Sequence, residues 1–293
     1  MAAYRAPSLL QPHRAREALA DAHAGRIPPL MGFFCGLASP PVAKLVAQCG
    51  WDVIWVDWEH SAMNVETMTQ MLHDIQFHSE GKTMAFVRLP GTDHAAIGYA
   101  LDAGASIMVP QVETVEQARE IVAAAKYGAK IGGSRSAPPA RLMPGLSDMP
   151  MFPNMTLHQS LNMQAAVAIQ IESLEGIRNL DAILTAVGEH IDSVWLGSLD
   201  ARISMDLGAG GLLGGEPEWL EAVALYESTL AKHNKPASGL ALGTPEMKAI
   251  LGRGRSFMVT GCDFYGLLGQ SAEMTNMRQM FPQVDHSKVY KKL

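Results

Sequence analysis

The sequence predicts a single-domain α/β protein with the architecture of a (β/α)8 barrel, or TIM barrel. Apolar runs of strand length alternate with stretches of helical spacing, about eight of each, which is typical of a parallel sheet with crossover helices. The length of 293 residues fits one such barrel. Polar side chains follow several of the apolar runs, as expected where the strands of a barrel end at an active site.

A doubly wound open sheet is the alternative architecture. Such sheets bind nucleotides through a GxGxxG turn or a P-loop. No GxGxxG follows the first apolar run, and the chain has no P-loop. We therefore expect one barrel domain over residues 1–293, with an N-terminal helical extension over residues 1–27.

The run AVAIQIESLEG, residues 166–176, organises the predicted barrel. Its apolar character indicates a strand buried on both faces, and a period of two places Gln170 and Glu172 on one face. A helix is predicted to begin directly after this run. The predicted strands read, in chain order, LMGFFCGL, DVIWVDWEH, TMAFVRLP, SIMVP, AVAIQIE, SVWLGSLD, ASGLAL and SFMVTGCD.

Capping residues mark the start of several predicted helices. Ser39 precedes a proline and is a candidate N-cap, and Thr114 and Gln117 have the spacing of a capping box. Residues 128–165 begin with a stretch rich in Gly, Pro, Ser, Arg and Met. We interpret them as a long loop, either a lid or an inter-subunit segment. A second glycine-rich loop covers residues 207–215.

Composition excludes several classes of function. The formal net charge of -6 is spread without long runs, which argues against binding to nucleic acid or to an anionic membrane surface. The 3 cysteines, Cys35, Cys49 and Cys262, form no CxxC pair, so we expect a reducing compartment. No apolar run is long enough for a membrane span, and no secretory signal precedes the first strand. We therefore expect a cytoplasmic protein with a small-molecule substrate.

Glu172 and Asp200 are the candidate metal ligands. Each ends a predicted strand, and strand ends converge at the mouth of a barrel. Two carboxylates together with waters or substrate oxygens suit Mg²⁺, and Mn²⁺ or Co²⁺ would also fit. The alternative is that the two carboxylates cap helices or form salt bridges.

Three residues near the end of the second strand suggest a base. His60 lies beside Asp57 and Glu59, and a histidine held by a carboxylate can act as a general base near neutral pH. The alternative is a buried structural histidine. Asp102 ends a later helix and is either a surface charge or a brace for a neighbouring strand end.

Arg88 ends an otherwise apolar strand and is the candidate anion clamp. A guanidinium holds a carboxylate through two parallel hydrogen bonds, although Arg88 could equally pair with Asp57 or Glu59. A metal, a clamp and a base together favour chemistry on a 2-oxo acid through an enolate. No lysine ends a buried strand, which disfavours a Schiff-base aldolase.

Four stretches of the chain resemble the HpcH/HpaI aldolase family of metal-dependent class II pyruvate aldolases. They read DVIWVDWEHSAMN, FVRLPGTDHAAIGYALDAGASIMVPQVETVEQARE, IQIESLEGIRNLDAI and VWLGSLDARISM. The resemblance joins four strand ends in the family's order and covers most of the barrel. It implies a (β/α)8 fold, a homohexamer built as a trimer of dimers, and a C-terminal helix that packs on a neighbouring subunit.

The resemblance also implies a role for each candidate residue. Glu172 and Asp200 would bind the metal, and Arg88 would bind the pyruvyl carboxylate. Gln170, Gly197 and Ser198 would contact the substrate. His60 would act as the base through a water, with Asp57 and Asp102 nearby.

Departures from the family pattern put the second substrate in question. The chain reads GSLDARIS where many members read GPxDLS, which removes a proline and adds Arg202. The 207–215 loop is also longer than usual. The GSLDARISM string is similar to the macrophomate synthase branch, which decarboxylates oxaloacetate and adds the pyruvate enolate to a pyrone.

We therefore expect retro-aldol cleavage of a 4-hydroxy-2-oxo acid to pyruvate and an aldehyde. Oxaloacetate decarboxylation with addition to a pyrone or another acceptor is the alternative. A barrel that has lost turnover and serves as a scaffold is a rival of a different class, although every proposed catalytic position is filled. An enzyme of the phosphoenolpyruvate type would need a phosphate site after the last two strands, where the sequence offers little.

Overall fold

Parallel strands close into a barrel in chain order, each hydrogen-bonded to its neighbours in the sequence and the last to the first. The structure, a computed structural model, describes residues 1–138, 143–208, 213–281 and 283. Within that part of the chain the eight strands confirm the predicted (β/α)8 barrel. They are β1 (Leu30–Cys35), β2 (Val53–Asp57), β3 (Met84–Arg88), β4 (Ser106–Val109), β5 (Val167–Ile171), β6 (Ser193–Leu196), β7 (Ala237–Leu240) and β8 (Phe257–Cys262).

Helices follow the strands and form the outer layer. Because each helix runs back along the barrel, its last residue lies at the amino ends of the strands and its first residue near the mouth. The helices are α1 (Ala15–His23), α2 (Pro40–Val46), α3 (Val65–His78), α4 (His94–Asp102), α5 (Val115–Ala125), α6 (Leu157–Gln164), α7 (Leu174–Val187), α8 (Ser198–Ser204), α9 (Pro217–Lys232), α10 (Pro245–Leu251) and α11 (Asp263–Met280).

The predicted caps are confirmed. Ser39 accepts a hydrogen bond from the backbone of Val42 at the start of α2. Thr114 and Gln117 form a reciprocal capping box that begins α5. Each cap satisfies backbone N–H groups that a helix leaves without partners at its first turn.

Strand alternation divides the apolar residues between two cores. Outward side chains such as Ile54 and Ile169 pack under the helices, whereas inward side chains such as Trp55, Phe86 and Trp195 fill the barrel. All residues of β5 are buried, as its continuous apolar sequence predicts. Both cores consist of buried apolar side chains, so polar side chains that point into the barrel need partners there.

The N-terminal extension closes the amino end of the barrel. Ala18 and Leu19 on α1 are fully buried in the same core as Leu30 and Val53 at the starts of β1 and β2. The catalytic end of a barrel is the opposite one, so this extension contributes to stability.

The segment 128–165 differs from the predicted long loop. Its last part is the helix α6, which begins with a capping box of Thr156 and Gln159. The Gln11 side chain donates to the backbone oxygens of Ser147 and Met149 at 2.7 and 3.0 Å. The described part of this segment therefore packs on the N-terminal extension and is not a lid over the mouth of its own barrel, and residues 139–142 lie outside the description.

The C-terminal helix α11 has little contact with its own barrel. None of its described residues is buried, and Leu267, Leu268, Met274 and Met280 are all more than half exposed. These apolar side chains are spread around the helix, and so many exposed apolar groups need a partner surface. No helix in the described part of the chain is long and apolar enough to cross a membrane.

Candidate active site

A cavity of about 950 Å³ extends from the carboxyl ends of the strands, where Glu172 lines it, to the amino ends, where His23 and Lys235 line it. Seven of the residues singled out from the sequence line it, whereas Asp57 lies behind the wall and Asp102 lies elsewhere. The lining residues among the predicted set are His60, Arg88, Gln170, Glu172, Gly197, Ser198 and Asp200.

Glu172 follows β5 directly and is only 4% exposed. Its Oε2 accepts a hydrogen bond of 3.0 Å from the backbone of Gln111, and its Oε1 accepts one of 3.0 Å from Gln170 Nε2. Burial raises the pKa of Glu172 to about 7, and the charges of Asp200 and Glu59 add to the rise. A nearby cation would relieve the cost of this buried negative charge.

Gly197 makes room for the Glu172 carboxylate. A Cβ at position 197 would lie 2.4 Å from Glu172 Oε1, which no side chain tolerates. The backbone N–H of Gly197 donates to the oxygen of Ile171 at 3.0 Å. The end of β6 is therefore packed directly against the end of β5. Because Gly197 has no side chain, the Glu172 carboxylate can occupy the space beside it.

Asp200 does not end a strand as the sequence predicts. Strand β6 stops at Leu196, and the chain then turns at Gly197 into the short helix α8, whose first turn carries Asp200. The side chain is exposed and lines the cavity. A carboxylate in the first turn is favoured by the helix dipole. Asp200 is near enough to Glu172 for its charge to raise the pKa of that carboxyl group.

Gln170 contributes a buried acceptor that lacks a partner. Its Nε2 donates to Glu172, whereas Oε1 is buried and accepts no hydrogen bond from any described residue. Such an orphan is costly unless a ligand or water supplies a donor. The orphan atom lies beside the predicted metal ligands.

The residues present fit a hard divalent cation. The described residues contain no group of three or more His, Cys, Asp or Glu side chains with metal-binding geometry, so two carboxylates would leave most positions to waters and substrate oxygens. Oxygen ligands of this kind suit Mg²⁺. The raised pKa of Glu172 and the orphan acceptor of Gln170 are the two observations that support a cation here.

Arg88 is held rigidly in the wall of the cavity. Its Nε and Nη2 donate to the two carboxylate oxygens of Asp57, each at 2.8 Å, and Nε lies 3.1 Å from Glu59 Oε2. The guanidinium carbon lies 5.2 and 5.7 Å from the ring centroids of Trp55 and Phe34. The pairing considered as an alternative is therefore present, and the guanidinium still faces the cavity.

His60 is exposed at the rim. Its side chain is 72% exposed, and Nε2 lies 3.7 Å from Glu59 Oε2. Burial raises the pKa of Glu59, and Arg88 opposes this rise. Arg88 contacts both Asp57 and Glu59, and the carboxylate that lies within 4 Å of His60 is that of Glu59.

Asp102 lies at the other end of the barrel. It is the last residue of α4, and its Oδ1 accepts a hydrogen bond of 2.8 Å from Arg135 Nη2. A helix that follows a strand returns to the amino end, so the last residue of α4 is remote from the mouth. Within one chain the structure does not bring Asp102 to His60.

Gln111 is a functional residue that sequence reasoning missed. It has a φ of 55°, which is uncommon for a residue with a side chain, and its backbone N–H points at Glu172. Backbone strain of this kind is typical of functional sites. No residue pattern around position 111 signals it.

The chain is similar to proteins of known family and activity. The family model of HpcH/HpaI aldolase/citrate lyase matches residues 30–266. The 4-hydroxy-2-oxo-heptane-1,7-dioate aldolase of Escherichia coli is 32% identical over 255 residues, which are 85% of this chain and 89% of that protein. The 4-hydroxy-2-oxovalerate aldolase of Novosphingobium aromaticivorans is 30% identical over 245 residues, 81% of this chain and 86% of that protein.

A solved structure adds to the same conclusion. Macrophomate synthase superposes with a TM-score of 0.85 and is 32% identical, covering 97% of this chain and 96% of its own. The matches span the barrel and include the strand ends that form the cavity. The chain belongs to the HpcH/HpaI aldolase/citrate lyase family and is a lyase of the aldolase type.

Proposed function

We propose that the protein is a divalent-metal-dependent lyase that cleaves a 4-hydroxy-2-oxo acid to pyruvate and an aldehyde through the pyruvate enolate. The buried carboxylate of Glu172 carries this proposal. It is hydrogen-bonded to the Gln170 amide, whose Oε1 has no partner among the described residues, and it lies in one cavity with Arg88 and Asp200. The Escherichia coli and Novosphingobium aromaticivorans aldolases, 32% and 30% identical to the chain, support the same substrate class.

Glu172 and Asp200 would hold the cation, with Mg²⁺ as the first candidate and Mn²⁺ or Co²⁺ as alternatives. When bound, the cation would polarise the 2-oxo group and stabilise the negative charge that develops on it. The backbone N–H of Gln111 and the Gln170 amide fix the orientation of Glu172. Such outer contacts tune a metal site as much as the ligands do.

Arg88 would bind the carboxylate of the substrate. Asp57 occupies Nε and Nη2, and no described residue accepts a hydrogen bond from Nη1. The remaining N–H groups are available to an anion in the cavity. Because Asp57 and the aromatic rings fix the guanidinium, little conformational entropy is lost when the substrate binds.

His60 would remove the proton from the 4-hydroxyl group through a water, with Glu59 orienting the ring. The bond between C3 and C4 then breaks, the aldehyde leaves, and the electron pair passes to the 2-oxo group as the enolate. Protonation at C3 completes pyruvate. The exposed position of His60 at the rim suits a base that exchanges protons with solvent.

Decarboxylation of oxaloacetate followed by addition of the enolate to a pyrone or another acceptor is the second candidate. It starts from the same enolate and needs the same metal and clamp. The similarity to macrophomate synthase over nearly the whole chain favours it.

The C-terminal helix supports a homo-oligomer, which we propose to be a hexamer arranged as a trimer of dimers. Leu267 and Leu268 are exposed apolar side chains that its own barrel does not cover. Asp102 can assist His60 only if it comes from another copy of the chain, since the two lie at opposite ends of one barrel.

Rates of pyruvate release test the substrate class. With Mg²⁺ present, a short 4-hydroxy-2-oxo acid and oxaloacetate are supplied separately. A higher kcat/KM for the hydroxy acid supports the aldolase, and a higher value for oxaloacetate supports the second candidate. No release from either would contradict both.

A further inference from the structure

We propose that Arg202 is a positioning residue for the metal site, which locks the helix that carries Asp200. This inference rests on the metal site proposed above. Arg202 lies two residues after Asp200 on α8, a helix of 7 residues. A helix this short has little stability of its own, so contacts outside it must determine where Asp200 lies.

The guanidinium of Arg202 makes a bidentate contact with Glu216, the N-cap of α9. Nη1 lies 2.7 Å from Glu216 Oε2, and Nη2 lies 2.8 Å from Oε1. The side chain is only 3% exposed, and its guanidinium carbon lies 5.5 Å from the centroid of the Trp219 ring. A planar guanidinium that makes a bidentate contact with a carboxylate and packs against an aromatic ring is restricted to one orientation.

The backbone segments on both sides of the connection between α8 and α9 also contact Arg202. The oxygen of Arg202 accepts hydrogen bonds from the N–H groups of Met205 and Leu207. Gly214 packs so closely that a Cβ there would lie 1.6 Å from Arg202 Nη1. Both described ends of the connection between α8 and α9 therefore meet at Arg202, while residues 209–212 lie outside the description.

The opposite side of α8 is tied to the strand end that carries Glu172. Ser204 Oγ accepts a hydrogen bond of 3.3 Å from the backbone N–H of Leu174, two residues after Glu172. Helix α8 is thus held between the start of α7 and the start of α9. Asp200 keeps its place beside Glu172 only while both attachments last. Arg202 provides the stronger one because its contact with Glu216 is bidentate and its own side chain is buried, although 37% of the Glu216 side chain is exposed.

A matched pair of glycine variants tests this role. Gly214→Ala displaces the Arg202 guanidinium from its contact with Glu216, because the added Cβ overlaps with Nη1. Gly215→Ala adds a Cβ with no atom within 4 Å. The probe is Mn²⁺ alone, titrated into the metal-free protein and followed by calorimetry. We expect Gly214→Ala to weaken Mn²⁺ binding roughly 10- to 100-fold, the range for loss of an outer-shell contact, and Gly215→Ala to bind like the wild type.

The outcomes separate this inference from the proposed function. Equal Mn²⁺ affinity in both variants overturns the role of Arg202, and absence of Mn²⁺ binding by the wild type overturns the metal site and this role together. If Gly214→Ala does not fold, Glu216→Gln carries the test, because it removes the charge and leaves the backbone unchanged. Restoration of tight binding in Glu216→Asp, which returns the carboxylate, supports the pairing, and wild-type affinity in Glu216→Gln refutes it.

Discussion

Asp57 and Arg88 are paired residues on adjacent strands, opposite each other in the register of β2 and β3, and their side chains are joined by two hydrogen bonds of 2.8 Å. The strand pairing thus aims the guanidinium at the cavity before any ligand arrives. The pair is largely shielded from water, with 3% and 12% of the two side chains exposed.

Arg88→Ala should chiefly weaken the binding of 2-oxo acids. The expected result is a rise in KM and in the inhibition constant of pyruvate of roughly 10-fold or more, since one charge-assisted contact contributes about 1.5–3 kcal/mol. Steady-state kinetics with pyruvate as product inhibitor measure it. Unchanged affinity for pyruvate would contradict the clamp.

Asp57→Ala should lower the free energy of unfolding as well as weaken the binding of 2-oxo acids by Arg88. Removal of one partner leaves a buried charge uncompensated, which costs about 3 kcal/mol, although Glu59 stays 3.1 Å from Arg88 Nε. Urea unfolding at neutral pH measures the loss. Glu116→Ala, which removes an exposed carboxylate of a 4.0 Å pair with Arg119, is the control and should leave the free energy of unfolding nearly unchanged.

Glu172 predicts a pH dependence of stability in the metal-free protein. Its pKa is raised from 4.5 to about 7, so between these values the folded state binds more protons than the unfolded state. The free energy of unfolding that this carboxyl group contributes is therefore lost as the pH rises through that window, by about 3 kcal/mol in total. Glu172→Gln removes the ionisation, so in EDTA it should unfold at a higher urea concentration than the wild type at pH 8, with a smaller difference at pH 5. The same difference at both pH values would contradict the raised pKa.

Gly197→Ala should damage the metal site without a change of charge. The added Cβ would lie 2.4 Å from Glu172 Oε1, so the carboxylate must move. We expect a loss of Mn²⁺ affinity of roughly 10-fold or more. Gly98→Ala, where a Cβ meets nothing within 4 Å on α4, is the matched control, and equal affinity in the two variants would show that the Glu172 position is unimportant.

A charge among the exposed apolar residues of α11 should dissociate the oligomer. Leu268→Glu places a carboxylate where an interface must be dry, and sedimentation velocity reports the mass. Gln270→Glu adds the same charge to an exposed polar position of the same helix and should leave the assembly intact. A wild-type chain that sediments as a monomer would refute the oligomer.

The barrel and half of the site follow from local sequence rules. Continuous apolar strands flanked by capping residues predict the alternation of β5 and α7, and the period of a strand alone places Gln170 and Glu172 on one inward face. Asp57 and Arg88 are similarly predictable because each ends an apolar run. These features depend on few residues that are close in sequence.

Other features depend on tertiary contacts that a single sequence does not reveal. Asp200 lies on a helix because β6 ends at Leu196 and the chain turns at Gly197, where it passes close to Glu172. Gln111 combines an unusual backbone conformation with a hydrogen bond from its N–H to Glu172, 61 residues away in the sequence. Asp102 is drawn to Arg135, a residue of the segment taken as a loop, so the expected contact with His60 is not present within one chain.

Metal-restored release of pyruvate from a short 4-hydroxy-2-oxo acid tests most directly whether the lyase reaction depends on a divalent metal held by Glu172. The wild type and Glu172→Gln are treated with EDTA, and Mg²⁺, Mn²⁺ or Co²⁺ is then returned. We predict that the wild type loses and regains its activity, while Glu172→Gln stays more than roughly 100-fold below it, since loss of an outer-shell partner alone costs 10–100-fold. Full activity of the wild type in EDTA would show that no metal is needed, and full activity of Glu172→Gln with metal would show that Glu172 does not hold it.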